Sequence, residues 1–326
     1  MKYLSVCSGI EAASVAWHSM GWEPVAFSEI DPFASAVLAA RYPQVPNINK
    51  LENLDAYRIG RRAIDVFVGG TPCQSFSVAG LRRGLDDPRG NLALVYLRLV
   101  DRFRPRYIVW ENVLGVLSSN GGRDFGAFIG ALAQLGYGFA WRVLDAQYTR
   151  VDTHPRAVPQ RRRRVFVVGC AGGDAQRAAS ILLEPEGVRG NPPTRGQAGQ
   201  GVARRAASGA AGGSKGAVSP PFASSICFDT TQITHPANRS SPQPGDPCHP
   251  LARGAHAPAV ASSMAVRRLT PRECERLQGF PDDWTAITYR GKPAADGPRY
   301  KALGNSMAVN VMRWIGLRIA QAEGAQ

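Results

Sequence analysis

Short apolar runs alternate with segments of helical pattern through the first 170 residues of the chain. Five runs share this form and cover residues 3–7, 22–28, 64–68, 107–110 and 165–168. Continuous apolar runs that are separated by helices are typical of parallel strands buried on both faces of a sheet. We therefore predict an α/β fold with a doubly wound, mostly parallel sheet. Its ligands are expected at the carboxyl ends of the strands.

Capping residues predict where two of the helices begin. Asp31-Pro32 supplies an N-cap and a first-turn proline for a helix over residues 33–41. Thr270, Pro271 and Glu273 have the pattern of a capping box at the start of a later helix. Residues 10–20 are also compatible with a helix, and an amphipathic helix is predicted over about 306–321.

The pattern changes after residue 172. Residues 191–221 consist mostly of Gly, Ala, Ser, Pro and Arg and include no aromatic residue, so they read as a flexible segment or a long loop. Residues 222–264 have only short apolar pieces between turn residues. We expect a small, loop-rich unit there.

Charge adds a partner class to this picture. The 326 residues carry a net charge of +14, and 34 of the 39 basic residues are Arg. Guanidinium groups match phosphate and base edges, so a nucleic acid is the leading partner, although a GC-rich genome would also favour Arg over Lys. Residues 1–149 have a net charge of +2 and residues 150–216 a net charge of +8. This concentration of positive charge in residues 150–216 favours a nucleic-acid-binding cleft over a codon bias that acts on the whole chain.

Other classes of protein are disfavoured by the sequence. No apolar run approaches the roughly 20 residues of a spanning helix, and the first residues do not form a signal peptide, so we expect a soluble, cytoplasmic protein without a membrane partner. The six Cys residues are scattered without a CxxC pair, and no metal site is expected.

A cysteine follows one of the predicted strands. Gly69-Gly70-Thr71 leads into Pro72 and Cys73, and the polar residues 74–77 come next. A lone Cys is more often a small core residue than a nucleophile. The proline before Cys73 and the polar loop after it favour the nucleophile.

Two further strands bring charged residues to the expected ligand edge. Glu111 ends the run 107–110, where a carboxylate is costly unless it is partnered or functional, although it could instead cap a helix. Arg161, Arg162, Arg163 and Arg164 enter the run 165–168. Alternation along a strand points two of them to each face, so one pair is expected to face the ligand edge.

Together these segments, in this order, resemble the DNA (cytosine-5)-methyltransferase family in its bacterial and phage form. The resemblance covers nearly the whole chain outside residues 172–262. It includes Pro72-Cys73-Gln74, Glu111-Asn112-Val113 and Gln160-x-Arg162-x-Arg164. It extends to residues 5–10, 268–273, 276–281 and 304–306.

The resemblance implies a Rossmann-like, S-adenosylmethionine-dependent methyltransferase with a smaller target-recognition domain. It divides the chain into a catalytic, cofactor-binding domain over 1–171, completed by the C-terminal helix 298–326, and a target-recognition domain over 172–297. The flexible segment lies at about 190–221 within the second domain. A monomer that clamps double-stranded DNA between the two domains is expected.

The resemblance also implies the chemistry. Cys73, preceded by Pro72, matches the nucleophile that adds to carbon 6 of a flipped-out cytosine. Glu111 matches the acid that hydrogen-bonds N3 and the exocyclic amine. Arg164 matches the arginine that contacts O2, and Arg162 is expected to steady Glu111 and the loop.

The cofactor residues follow from the same motifs. The residues expected to contact S-adenosylmethionine are Ser8, Gly9, Ile10, Glu11, Glu29, Asn49, Asn91, Leu92, Asn305 and Ser306. Two of them depart from the family pattern. Glu11 stands where a glycine is usual and either meets the cofactor's ammonium group or caps the helix. Asn49 stands in for an adenine-reading Asp, which is absent near Lys50.

DNA contacts are expected from a mobile loop over 74–89 and from the outer arginines. These residues are Gln74, Ser77, Arg82, Arg83, Arg161 and Arg163. The enzyme would act beside a restriction enzyme or as an orphan or phage methylase. The alternatives are an RNA cytosine-5 methyltransferase of the same fold and a non-catalytic DNA-binding relative.

Overall fold

A six-stranded sheet forms the centre of the molecule. The computed structural model describes residues 1–55, 59–60, 63–71, 92–183, 226–228, 246–248, 259–262 and 265–324. Its central strands are β1 (Lys2–Val6), β2 (Glu23–Ser28), β3 (Val66–Gly69), β4 (Tyr107–Asn112), β5 (Tyr137–Asp145) and β6 (Arg163–Ala171). Their order across the sheet is β2-β1-β3-β4-β6-β5.

The first four strands of the sheet are parallel, and the last two pairings are antiparallel. β1 pairs in parallel with β2 and β3, and β3 pairs in parallel with β4. β6 lies antiparallel to both β4 and β5. The mostly parallel sheet is confirmed, and residues 165–168, one of the apolar runs behind that prediction, lie in an antiparallel strand. The chain reverses over residues 146–162, so that β6 fills the position between β4 and β5.

Helices cover both faces of the sheet, as the doubly wound prediction requires. They are α1 (Ala12–Trp17), α2 (Pro32–Arg41), α3 (Leu92–Phe103), α4 (Arg123–Gln134), α5 (Ala175–Leu182), α6 (Pro271–Gln278), α7 (Asp296–Asn305) and α8 (Val309–Gly324). Tyr3 of β1 lies in a core with Trp17 and Met312, while the next residue, Leu4, lies in a second core with Phe128. The alternation of one strand thus supplies both cores.

Helix starts follow the capping signals. The Asp31 side chain accepts hydrogen bonds from the backbone N–H groups of Phe33 and Ala34, and Thr270 with Glu273 forms the predicted capping box. The predicted helix over about 306–321 instead begins at Val309, because Ser306 is extended and ends α7.

The helix α8 packs against α1. Trp17 Nε1 donates a hydrogen bond of 2.8 Å to the carbonyl of Met312. A Cβ on Gly316 would lie only 2.4 Å from the same indole nitrogen, so the absence of a side chain there permits the contact. Arg313 adds a hydrogen bond to the carbonyl of Ala16. The first helix is therefore covered by the last.

Smaller sheets lie in the second half of the chain. β7 (Ile226–Phe228), β8 (Ala259–Ser262) and β9 (Ala265–Arg268) form an antiparallel sheet, and β10 (Thr288–Tyr289) pairs with β11 (Lys292–Pro293). Helix α5 shares the core of the central sheet through Ala178 and Ile181. That core thus extends past residue 172, and the division into two domains stays a prediction. The predicted flexible segment 190–221 lies outside the described residues.

Neither a membrane helix nor a metal cluster is present in the described ranges. No helix there is both long and apolar enough to cross a membrane. No group of three or more His, Cys, Asp or Glu side chains in the same ranges could hold a metal ion.

Candidate active site

A pocket opens at the edge of the sheet where the parallel strands β1 to β4 end. Its walls come from the loop after β1, the end of β3, the end of β4 and the segment between α7 and α8. The lining residues are Ser5, Cys7, Ser8, Gly9, Glu11, Ala12, Ala13, Gly70, Glu111, Asn305, Ser306 and Met307. Six of the predicted site residues therefore line a single pocket.

Glu29 holds the loop that follows β1. Its carboxylate accepts hydrogen bonds from the backbone N–H of Gly9 and of Asp31, each at 2.7 Å. Burial raises the pKa of Glu29, and these two N–H groups partly offset that shift. The loop and the end of β2 are thereby fixed to each other by one side chain.

Glu11 is a buried carboxylate in the pocket wall. It caps α1 by accepting a hydrogen bond of 3.0 Å from the backbone N–H of Ser14, and it also accepts from the hydroxyls of Ser5 and Ser14. Its backbone is left-handed, with φ 64°. Burial raises the pKa of its carboxyl group. Of the two roles predicted for Glu11, these contacts are those of a helix cap.

Asn47 organises the region in which Asn49 is predicted to act. The Asn47 amide oxygen accepts from the backbone N–H of Glu29 and of Asn49, and its amide nitrogen donates to Glu29 O. Asn49 itself is exposed, with its carbonyl bonded to the Ser28 hydroxyl. Next to Glu29, the side chain of Ile30 is 67% exposed and gives this edge an apolar surface.

Glu111 and Arg164 form an ion pair on the other side of the pocket. Arg164 Nε lies 3.1 Å from Glu111 Oε1. Burial raises the pKa of Glu111, while the charges of Arg164 and Arg162 act in the opposite direction. β4 ends where the antiparallel β6 begins, so the last residues of one strand meet the first residues of the other. Glu111 is a carboxyl group that stays protonated to a higher pH than an exposed one.

Arg162 points inward as predicted, but its hydrogen bonds go elsewhere than expected. Its side chain is buried, and Nη2 donates to the carbonyls of Gly304 and Ser306. Its Nε and Nη1 are buried with no hydrogen-bond partner. Burial lowers the pKa of this guanidinium to about 9. Arg162 therefore holds the 304–306 wall of the pocket and influences Glu111 only through charge.

The structure describes the outer arginines, Arg161 and Arg163, but not the loop that is predicted to carry the nucleophile. Arg163 is exposed and Arg161 half-buried, and only Arg163 and Arg164 of the four arginines belong to β6. Leu92 begins α3. The other predicted residues of this part of the chain lie outside the described residues: Pro72, Cys73, Gln74, Ser77, Arg82, Arg83 and Asn91. Thr71 is the last described residue before them.

A family profile matches most of the chain. The profile of C-5 cytosine-specific DNA methylases aligns with residues 1–186 and 224–321. The chain belongs to the C-5 cytosine-specific DNA methylase family. The match includes every described residue of the pocket.

Relatives of this family member come from phages and bacteria. A protein of Escherichia phage P1 named DNA N-6-adenine-methyltransferase is 36% identical over 470 aligned residues, which cover 98% of this chain and 61% of the relative. The chain thus spans about three fifths of that protein. The type II methyltransferase M2.BsuMI of Bacillus subtilis is 30% identical over 349 residues, covering 100% of this chain and 77% of the relative.

Solved structures agree in fold. The S. pombe Dnmt2 methyltransferase superposes with a TM-score of 0.62 at 17% identity, covering 98% of this chain and 99% of the other. A DNA modification methyltransferase encoded within an E. coli prophage gives a TM-score of 0.61 at 19% identity, with 99% of each chain covered. At these identities the likeness concerns the fold alone.

Several residues at the site were missed by the sequence reasoning. Gly70 could have been found from the Gly-Gly pair before Pro72. Asn47 and Ile30 flank predicted positions. Trp284 had no local signal, yet its Nε1 donates a hydrogen bond of 2.9 Å to the carbonyl of Ile10 in the loop after β1.

Proposed function

We propose that this chain transfers a methyl group from S-adenosylmethionine to carbon 5 of cytosine in double-stranded DNA. The Glu111–Arg164 pair is the observation that carries the proposal. It lies beside Gly70, which is two residues from Pro72 and three from Cys73. A half-buried acid paired with a cation, together with a cysteine three residues after Gly70 in the sequence, is the set of groups that cytosine C5 chemistry needs.

Glu111 would act on the ring as an acid. Negative charge develops on cytosine when a nucleophile adds to carbon 6, and a protonated carboxyl group can donate a hydrogen bond to N3. The raised pKa of Glu111 favours the protonated form. Arg164 is placed to stabilise charge near Glu111 and, by the family resemblance, at O2 of the ring.

Cys73 would act as the nucleophile. Its thiolate forms a C–S bond to carbon 6, and the electron pair of the C5–C6 double bond moves into the ring, where N3 takes the proton from Glu111. Carbon 5 would then take the methyl group, and the electron pair of the broken methyl–sulfur bond would stay on the donor's sulfur as a neutral thioether. Loss of the C5 proton to water and departure of Cys73 as thiolate restore the C5–C6 double bond and release N3's proton to Glu111.

The pocket fits the methyl donor. S-adenosylmethionine supplies an electrophilic methyl group on a sulfonium sulfur. Glu29 is paired only with backbone N–H groups and keeps lone pairs for a ribose diol. Glu11 lines the pocket with its carboxylate engaged in capping α1, and Asn305 and Ser306 line it from the segment between α7 and α8.

DNA is the substrate that charge and family favour. The described part of this basic range, residues 150–183, carries seven Arg against two Asp and includes the reversing loop and β6. A base inside a duplex cannot be reached by the Cys73 thiol, so the target cytosine must be flipped out at a cost of a few kcal/mol. The methylase would work beside a restriction enzyme or alone.

The phage P1 relative's name makes adenine N6 the second candidate target. That reaction would proceed by direct attack of an amine and would not require Cys73. The two candidates are therefore separated by product and by one substitution.

The test is methylation of unmodified plasmid DNA with labelled S-adenosylmethionine, followed by digestion and mass spectrometry of the nucleosides. We expect 5-methylcytosine from the wild-type chain and none from Cys73→Ala. N6-methyladenine as the product, formed equally by Cys73→Ala, would overturn the proposal. Transfer RNA is included in parallel, because 5-methylcytosine in RNA alone would assign the RNA activity instead.

Calorimetry with S-adenosylmethionine distinguishes a methyltransferase from a non-catalytic DNA-binding relative. We expect S-adenosylmethionine to bind both the wild-type chain and Cys73→Ala. No binding at millimolar cofactor would reject all catalytic assignments and leave the non-catalytic DNA-binding alternative.

A further inference from the structure

The reversing loop, residues 146–162, carries arginine side chains that have no partner in the described part of the protein. We propose that this loop binds the phosphate backbone of substrate DNA beside the pocket, through Arg150 and Arg156 together with the outer arginines. The inference rests on the proposed function, because it takes duplex DNA as the partner. It adds to that function a binding surface outside the pocket.

Arginine side chains in the described ranges fall into two groups. Most of them have a hydrogen bond, an ion pair or a ring contact within the protein. On α6, for example, Arg272 pairs with Asp283 and Arg276 pairs with Asp282. The side chains that have none of these contacts in the same ranges are those of Arg150, Arg156, Arg161, Arg163 and Arg268. Four of these five therefore lie within residues 150–163.

The charge of these arginines is not balanced within the loop. Arg150, Arg156 and Arg163 are exposed. The single carboxylate of the loop, that of Asp152, is paired with Arg313 on α8 and receives a hydrogen bond of 2.9 Å from its Nε. Guanidinium groups that lie near one another without a carboxylate repel one another, and a bound polyanion removes that repulsion.

The loop runs from the pocket toward the second half of the chain. On the pocket side, Arg162 holds the 304–306 wall through two hydrogen bonds, and β6 begins beside the end of β4 that carries Glu111. At the tip, His154 lies against the end of α6, because a Cβ on Gly279 would be 3.0 Å from His154 Nε2. A duplex whose target base enters the pocket would therefore pass next to this loop.

The shape of the loop is set by contacts within the protein. Asn310 of α8 is buried and donates hydrogen bonds of 2.8 and 2.7 Å to the carbonyls of Ala146 and Thr149. Val151 and His154 exchange backbone hydrogen bonds of 3.2 and 3.0 Å, which close the tip. A loop that is already ordered loses little conformational entropy when a partner binds.

The DNA backbone is the partner that fits this distribution of charge. Arg150 and Arg156 flank the tip on either side, whereas the outer arginines lie at the base of the loop next to β6. A duplex carries one negative charge per about 1.7 Å of its axis and can meet guanidinium groups at both places. Guanidinium forks bind phosphate oxygens in a bidentate manner. Such contacts fix the position of the duplex without reading its sequence.

The experiment measures how the affinity of the full chain for duplex DNA depends on salt. The Kd of a fluorescently labelled duplex is determined by anisotropy between about 50 and 200 mM salt, where log K falls with a slope of about −0.9 per phosphate contact. The variants are Arg150→Gln, Arg156→Gln and the double variant. Arg150→Lys and Arg156→Lys keep the charge at the same positions.

Arg106→Gln is the charge-matched control. Arg106 directly precedes β4 and so lies at the opposite edge of the sheet from the pocket. Its side chain is 48% exposed, and its ion pairs with Asp65 and Glu323 are near the surface, so that losing them has little effect on stability. Thermal unfolding and the Kd for S-adenosylmethionine are measured for every variant to show that each is folded.

We expect each Gln substitution to reduce the magnitude of the slope by about 0.9 and to weaken DNA binding about 3–10-fold at about 0.1 M salt. The double variant should lose about 1.8 in slope, since the two contacts are independent. Two duplexes of unrelated sequence should be affected equally. The Lys variants should keep the wild-type slope, and Arg106→Gln should match wild type.

Failure of the surface and failure of the proposed function give different results. If the wild-type chain forms 5-methylcytosine in DNA and the slopes of Arg150→Gln and Arg156→Gln equal that of Arg106→Gln, the surface is overturned while the proposed function stands. If the slopes change as expected but no cytosine in DNA is methylated, the surface stands and the proposed function fails.

Two further results would overturn the assignment to the phosphate backbone. One is a loss of slope with Lys as large as that with Gln, and the other is an effect confined to one of the two duplexes. Duplex RNA is titrated in parallel. A change of slope for RNA alone would assign the surface to RNA and reject it for DNA.

Discussion

The carboxylates of Glu29 and Glu111, on two sides of the pocket, have partners of different kinds. On the wall proposed to bind the cofactor, here called the cofactor wall, Ser8 and Gly9 line the pocket with Glu29 and Asn47 behind them, and the carboxylate of Glu29 is held by backbone N–H groups. On the wall proposed to bind the base, here called the base wall, Gly70 and Glu111 line the pocket with Thr71 and Arg164 behind them, and the carboxylate of Glu111 is held by a cation from another strand. The contacts of Glu29 fix the loop after β1. The charge of Arg164 changes the pKa of Glu111.

This difference teaches which wall should control which kinetic step. Backbone donors bind a partner equally before and during the reaction, whereas a buried acid acts when charge develops on the base. We therefore expect substitutions on the cofactor wall to change the Kd for S-adenosylmethionine. Substitutions on the base wall should change the methyl-transfer rate.

The largest expected effect is that of Glu111→Gln. Glutamine keeps the shape but cannot supply a proton to N3, so single-turnover methyl transfer should fall about 10²–10⁴-fold. The Kd for S-adenosylmethionine should stay within about twofold of wild type by calorimetry, although Glu111 lines the pocket, because its side chain is held by Arg164. A comparable loss of cofactor affinity would break the distinction between the walls.

The reciprocal substitution is Glu29→Gln. Loss of charge weakens hydrogen bonds to Gly9 N–H and to a ribose diol, and a hydrogen bond to a charged group contributes about 1.5–3 kcal/mol. The Kd for S-adenosylmethionine should rise about 10–100-fold. The single-turnover rate at saturating cofactor should remain near that of wild type, and a rate loss as large as that of Glu111→Gln would contradict the assignment.

A pH profile tests the base wall on its own. Arg164 lowers the pKa of Glu111 against the effect of burial, so removing the cation in Arg164→Met should raise that pKa. Because the protonated form of Glu111 is the active one, the rate is lost as pH rises through this pKa. The alkaline limb should therefore move to higher pH, together with a rate loss of about 10-fold at the optimum. A limb that moves to lower pH would contradict the ion-pair role.

The smallest effect is expected from the contact between Trp284, in the second half of the chain, and the loop of the cofactor wall. Trp284→Phe removes the hydrogen bond to the Ile10 carbonyl, a neutral contact of about 0.5–1.5 kcal/mol. The Kd for S-adenosylmethionine should rise about 2–10-fold in a fluorescence titration. Trp314→Phe, on α8 and away from the loop, serves as the control and should leave the Kd unchanged.

Local signals predicted the features that local physics determines. Asp31 and Thr270 cap helices through backbone groups two or three residues away, and such contacts depend on a few neighbouring residues. The exposure of Arg163 and the partial burial of Arg164 follow from the alternation of side chains along β6. Both can be worked out from the sequence without any tertiary structure.

Long-range contacts could not be predicted in this way. The direction of β6 depends on its pairing with β4 rather than on its own residues. Arg162 finds its carbonyl partners 142 and 144 residues later, and Trp284 meets Ile10 across 274 residues. No periodicity within a short window contains such a partner, so the role of Arg162 was predicted only approximately and that of Trp284 was missed.

The contact of Trp17 with α8 has a consequence for synthesis in the cell. Trp17 and Met312 are 295 residues apart, and at typical translation speeds about 15–60 s separate their emergence from the ribosome. During that interval the apolar surface of α1 lacks its covering helix. The nascent chain therefore exposes a surface that chaperones bind, and a ribosome stalled before residue 309 would hold a chain that cannot complete its first core.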